Sequence, residues 1–145
     1  MQFSQLLLAT IFAAPAVLAA PVAGVSMMAT ASTWTIDNMK RVCNAADTSC
    51  TWTFGIATGS GTAQSCTYVV KGADASELNG GPTTCGDFTI TSGWSGQFGA
   101  GAGFTTLSVV DNKTRQIVWP AYTDKQLAAG KVVKPDQSYT PANLP

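Results

Sequence analysis

The chain has 145 residues, 46% apolar and only 11% charged, and its eight Lys and Arg side chains cancel its eight Asp and Glu. That balance leaves no basic face for nucleic acid or anionic lipid, and roughly 125 residues following a removable leader suffice for one domain but not two. Histidine is absent, which removes Ser–His and Cys–His nucleophile pairs and the common zinc-hydrolase ligand sets, so that carboxylates are the plausible acid and base groups that remain.

No charged side chain precedes Asp37, and Leu6 to Ala20 is a nearly unbroken apolar run ending in small residues, the pattern of a secretory signal. The run is roughly 13 to 15 residues, short of the roughly 20 a membrane-spanning helix needs, so the expectation is export, with no membrane insertion. Val17 and Ala19 supply small residues on the near side of a cut after Ala19, which predicts a signal peptide over 1–19; a cut after Ala20 would leave Pro21 next. Residues 20–32 are then a flexible lead-in to a single domain over 33–145.

From Trp34 onward apolar and threonine positions alternate, as in strands with one buried face. Thr33 to Ile36 is a weak first candidate. Cys50 to Ile56 is the clearest, because Cys50, Trp52, Phe54 and Ile56 point to one side of a pleated strand and Thr51, Thr53 and Gly55 to the other. Ser65 to Lys71, Phe88 to Thr91, Thr105 to Val110 and Gln116 to Trp119 follow, with Lys131 to Val133 as a second weak candidate. Turn residues separate them at Thr58 to Thr62, Leu78 to Pro82 and Asp111 to Thr114, the last a good hairpin turn. Seven short strands predict a mainly β fold, a small single-domain antiparallel barrel or sandwich.

Cys43, Cys50, Cys66 and Cys85 are an even set in an exported chain, which predicts two disulfides. Three connectivities are open. Cys43 and Cys50 flank the turn Asn44 to Ser49, and Cys66 and Cys85 flank a Gly/Asn-rich loop, so the near-neighbour pairing is preferred. A metal site built from all four lacks the paired short spacings that zinc requires, and no metal or cofactor is expected.

Ser92 to Phe104 is glycine-rich and carries Trp94, Phe98 and Phe104. Gly99, Gly101 and Gly103 resemble a phosphate loop only superficially, since no lysine follows and no βαβ unit surrounds them. Trp94 and Phe98 either stack on a ligand or a partner's pocket, or fold back onto the core as large aromatics generally do. Asn112-Lys113-Thr114 is an N-glycosylation sequon at the hairpin turn. One short helix is expected, capped by Thr123 with Gln126 completing a capping box and ended by Gly130. The tail from Asp136 to Pro145 is expected to lie extended along the surface.

The carboxylates are Asp37, Asp47, Asp74, Glu77, Asp87, Asp111, Asp124 and Asp136. A glycosidase needs two of them facing across a cleft, whereas most stand in turns or at a helix start, where Asp has ordinary capping work. Asp87 and Asp124 are the least badly placed for a catalytic pair, because each borders an ordered element.

Three stretches, Trp34 to Cys43, Cys50 to Ile56 and Cys66 to Val70, together with Thr91 to Phe98 and Ile117 to Tyr122, resemble fungal small secreted proteins of the hypersensitive-response-inducing elicitor (Hrip-type) family. The likeness covers nearly the whole expected domain. It implies a barrel-like β fold and a protein exported by a filamentous fungus into the host apoplast, where plant cells answer with defence and local necrosis. It brings no catalytic residues with it.

The leading reading is therefore a secreted, non-enzymatic elicitor or effector, monomeric, bound by a plant surface component, with the loop from Ser92 to Phe104 as the contact. A second reading is a cell-wall glycan-binding module using Trp94, Phe98, Phe104 or Tyr122 as stacking platforms. A third is a small hydrolase using Asp87 and Asp124.

Overall fold

The computed structural model describes residues 32–145; the expected signal peptide over 1–19, and the lead-in up to residue 31, lie outside the described residues. Strands β1 (Trp34–Cys43), β2 (Ser49–Ala57) and β3 (Gln64–Lys71) come first, then a single 3-10 turn at Ala75–Glu77. Next are β4 (Gly80–Cys85), β5 (Phe88–Ser95), β6 (Phe104–Asp111), β7 (Gln116–Val118) and β8 (Ala121–Thr123). Helix α1 (Asp124–Leu127) runs into a 3-10 turn at Ala128–Gly130, and the tail contributes β9 (Gln137–Tyr139) and β10 (Ala142–Asn143).

These strands form two antiparallel sheets, one in the order β9-β1-β2-β3 and one in the order β10-β7-β6-β5-β4, with β8 also paired to β6. They do not close into a barrel, so of the two expected architectures the sandwich is the one formed. Alternation drives the packing. In β2 the residues Cys50, Trp52, Phe54 and Ile56 are buried while Thr51 and Thr53 are only half-buried, and β6 buries Thr105, Leu107 and Val109 between half-exposed neighbours. The inward residues of both sheets meet in one core, with Trp34 edge-on to Phe88 at 5.7 Å and Trp52 stacked on Tyr68 at 5.8 Å. Fully burying such side chains contributes roughly 1.5–3 kcal/mol each.

Both disulfides join the near neighbours. Cys43 and Cys50 face each other across the β1–β2 pair. Cys66 on β3 and Cys85 on β4 tie the edge of one sheet to the edge of the other.

The first strand is longer than its weak signal at Thr33 to Ile36, because a bulge interrupts the alternation without ending the strand. Asn38 adopts a positive φ of 50°, a conformation that Asn tolerates better than most residues, and the register with β2 shifts between Asp37 and Lys40. Trp34 and Ile36 are buried before the bulge and Met39 and Arg41 after it, so the inward phase moves from even to odd positions. The tail holds this bulge. Asp136 Oδ1 accepts from the Asn38 backbone N–H at 3.0 Å, and Lys134 Nζ donates to Asn38 Oδ1 at 2.8 Å.

Other expectations need correction. Lys131 to Val133 forms no strand: Val133 donates a single backbone hydrogen bond to Met39 O, and Pro135, lacking an N–H, prevents a ladder from extending. The Gly/Asn-rich stretch before Cys85 contains β4, which pairs with β5 through Gly80↔Ser92 and Thr83↔Ile90. The extended tail is a structural member of both sheets, since β9 pairs with β1 and β10 with β7, which covers an otherwise open edge on each. The start of the helix agrees with its signals, since Gln126 N–H donates to Thr123 Oγ1 at 3.1 Å and Thr123 N–H donates to Gln126 Oε1 at 2.8 Å. Its end does not, because the helix stops at Leu127 with Ala128 as its cap, and Gly130, at φ 68°, ends the 3-10 turn that follows.

Candidate functional site

The phase change at Asn38 has a chemical consequence, because it turns a guanidinium inward. Arg41 is only 8% exposed, and a buried charge is tolerated when it is paired and hydrogen-bonded. Its Nη1 donates to Asp124 Oδ1 at 3.1 Å and to the Ser76 carbonyl at 3.2 Å, and its Cζ lies 5.6 Å from the centroid of the Trp52 ring, within cation–π range.

Each partner is positioned locally. Asp47 secures the Ala75–Glu77 turn, accepting from Ser76 N–H at 2.9 Å and from Ser76 Oγ at 2.6 Å, which aims the Ser76 carbonyl at Arg41. Asp124 is the first residue of α1, held by the capping box, and its own N–H donates to Gly103 O at 2.9 Å. Its second carboxylate oxygen accepts from Trp94 Nε1 at 2.9 Å. The Trp94 backbone N–H in turn donates to Asn79 Oδ1 at 3.0 Å.

An open groove of about 470 Å³ lies over this network, lined by Arg41, Ser76, Glu77, Trp94 and Asp124 and by the glycine-rich loop from Gly96 to Gly103. A second groove of about 470 Å³, lined by Asp47, Leu127 and Gly130, shares Arg41 and Ser76 as a wall. In the first groove the Arg41 cation is already neutralised by Asp124, while Glu77 is exposed. At Gly99 and Gly101 an added Cβ would meet nothing within 4 Å, so this rim of the groove is free of side-chain bulk, while the Gly99 N–H donates to Gly96 O and its C=O accepts from Ala102 N–H within the loop. The arrangement suits a neutral, hydrogen-bonding ligand or a protein surface better than an anion.

The structure distributes the expected site residues unevenly. Trp94 belongs to β5 rather than to the loop and is half-buried, its indole pressed between Gly96 and Gly103. Phe98 is 69% exposed and stacks on Phe104 with centroids 5.8 Å apart and ring planes at 25°. Tyr122 is a correction: at 1% exposure it is core, and burial pushes its phenol pKa up, so its ring offers no stacking surface. Asp87 and Asp124 are not brought together. Asp87 stands at the Phe88↔Asp111 end of the β5–β6 pair, Asp124 at the Trp94↔Thr105 end, and the intervening length of strand is roughly 20 Å, well beyond a glycosidase pair. Asn112 is exposed in the β6–β7 turn. One grouping of metal-type ligands occurs among the described residues, Cys43, Asp47 and Cys50, but both sulfurs are committed to a disulfide.

Sequence reasoning missed Arg41, Ser76 and Asn79. The available signal was Asn38, a poor strand former inside an otherwise strand-like run.

The family model described as Effector TSP1 matches residues 35–144, nearly all of the described domain. The chain is also similar to a protein named Effector TSP1 from Hypocrea virens (strain Gv29-8 / FGSC 10586), with 63% identity over 147 residues covering 100% of both chains. That description agrees with the fungal-effector part of the expectation; neither match carries the Hrip-type name that the sequence resemblance suggested.

Proposed function

This chain belongs to the Effector TSP1 family, a family of fungal effectors, and we propose on that basis that it is exported and acts in the apoplast as a non-enzymatic elicitor of plant defence or localised cell death. One observation carries the reading of where it acts: the glycine-rich loop that lines the groove over the Arg41–Asp124–Trp94 network also presents Phe98, 69% exposed, on a disulfide-tied scaffold. Loops on rigid β scaffolds are favoured places for recognition, and an exposed aromatic anchor suits a protein partner. The test is infiltration of purified, disulfide-intact protein into leaves, with Phe98→Ala alongside. Necrosis or defence-gene induction that weakens several-fold in the variant supports the reading; an inert wild-type protein at micromolar dose overturns it.

A second reading is favoured by the Phe98–Phe104 stack. It adjoins an outward face of β5 and β6 bearing Thr89, Thr91, Thr106 and Ser108, uncharged and rich in hydroxyls, as a surface for a neutral cell-wall glycan would be. Sedimentation with chitin or cellulose, lost in Phe98→Ala, supports this reading; protein that stays in the supernatant removes it.

A further inference from the structure

We propose that Asn112 carries an N-linked oligosaccharide. The inference rests on the export reading, since the modification is made during passage through the secretory route. Asn112 is the only asparagine in the chain followed two residues later by Ser or Thr, and the intervening residue is Lys113 rather than Pro.

The fold supplies the remaining requirements. Residues 112 to 115 are all exposed, at the tip of the hairpin between β6 and β7. The turn is ordered from within by Asp111, whose Oδ1 accepts from the N–H groups of Lys113 at 2.8 Å and Thr114 at 3.2 Å. Arg115 closes it at φ 59°, its N–H donating to Asp111 O at 2.9 Å. Asn112 is held on the outer side of the sheet: its backbone N–H donates to Asp87 O, and its Nδ2 donates to Thr89 Oγ1 at 2.9 Å.

Attachment takes one Nδ2 hydrogen and leaves the other. The Asn112 nitrogen forms a bond to the anomeric carbon of the reducing-end sugar of a lipid-diphosphate oligosaccharide as the anomeric C–O bond breaks. The lipid diphosphate departs with that electron pair, and the displaced amide proton passes to a base of the transferase. The surviving N–H can still donate to Thr89 Oγ1, so the folded turn accepts the modification without losing its hydrogen bond.

Position gives the glycan a further property. Asn112 adjoins the Phe88↔Asp111 end of the β5–β6 pair, whereas the Phe98 loop and the Arg41 groove adjoin the Ser95↔Phe104 end, roughly 20 Å away along the strands. The oligosaccharide therefore covers the turn containing Lys113 and Arg115 and leaves the candidate site open.

The experiment uses full-length protein secreted into culture medium by a filamentous fungus. Peptide mass spectrometry before and after an amidase that releases N-glycans reads residue 112, and electrophoretic mobility reads the whole protein. The expected result is a mobility shift abolished by the amidase, with Asn112 converted to Asp. The shift is also absent in Asn112→Gln and Thr114→Ala and retained in Thr114→Ser. Secreted protein with an unmodified Asn112 overturns the proposal and leaves the export reading standing. Protein that never reaches the medium overturns the export reading, and the proposal with it.

Discussion

Trp94 donates its indole N–H to Asp124 at 2.9 Å while the other oxygen of the same carboxylate takes Arg41 at 3.1 Å. One side chain at the start of α1 thus ties the end of β5 to the bulged strand β1, and these belong to different sheets. The candidate groove is built on that tie, so its integrity can be tested by removing single atoms from it.

Replacing Asp124 by Ala leaves the Arg41 guanidinium, 8% exposed, with the Ser76 carbonyl as its remaining hydrogen-bond partner among the described residues. Breaking a fully buried pair costs roughly 3–5 kcal/mol. Asp124 itself is 31% exposed, and solvent screening reduces the expected loss to about 2 kcal/mol. Urea unfolding should show a lower midpoint with an unchanged slope. Arg41→Met, which removes the charge and keeps apolar contact with Trp52, should cost less than Asp124→Ala. Equal costs would show that stranding a desolvated guanidinium is not what destabilises the Asp124→Ala protein.

Gly103→Ala tests the seat of the indole. A Cβ there would collide first with Asp124 Oδ2 and would stand 2.7 Å from Trp94 Cζ2 and 2.9 Å from its Nε1, so the carboxylate and the ring must be pushed aside and the bond between them is lost. Overpacking of this kind costs roughly 1–3 kcal/mol. Gly93→Ala, whose Cβ would meet only Asn79 Oδ1 at 3.6 Å, should stay within about 0.5 kcal/mol of wild type. Thermal melts of the two variants side by side make the comparison.

The disulfides should contribute unequally. Cys66–Cys85 closes a span of 19 residues and Cys43–Cys50 one of 7. Loop entropy then assigns about 3 kcal/mol to the first and about 2 kcal/mol to the second. The Cys66→Ala/Cys85→Ala double variant also cuts the covalent link between sheets, so its melting temperature should fall further than that of Cys43→Ala/Cys50→Ala. The reverse order would contradict the assignment of Cys66–Cys85 as the main brace.

Burial sets the alkaline limit of the fold. It pushes the Tyr68 phenol up to about 12 from an ordinary 10.0 and raises those of Tyr122 and Tyr139 as well. Above 10.0 the unfolded chain releases these protons while the folded chain keeps them, so stability intact below that value falls as pH rises toward about 12. Tyrosinate absorbance should therefore appear together with loss of near-UV circular dichroism. Tyrosinate forming near the ordinary value in protein that keeps its tertiary signal would contradict this. Tyr68 Oη is buried with no hydrogen-bond partner among the described residues, so Tyr68→Phe should be neutral or mildly stabilising.

The alternation of β2 was legible residue by residue because side-chain direction in a strand is a local property of the pleat. The cysteine pairing and the capping box were legible for the same reason, since each joins residues close in the chain. Tyr122 was misread because β8 has only three residues, too few to display a period, and its burial depends on β6 lying alongside.

Local patterns in the chain were enough to specify a mainly β, two-disulfide domain and to mark the residues of its clearest strands, its helix cap and its sequon. It took the folded arrangement to establish that the sheets form a sandwich, that β4 and the tail are strands, and that Arg41 faces inward to meet Asp124. The difference is one of range. A strand's own residues set which of its faces is apolar, but a bulge such as Asn38 reverses that face only because β2 on one side, and Lys134 and Asp136 on the other, hold it in place. Those partners come from parts of the chain that meet only once it has folded.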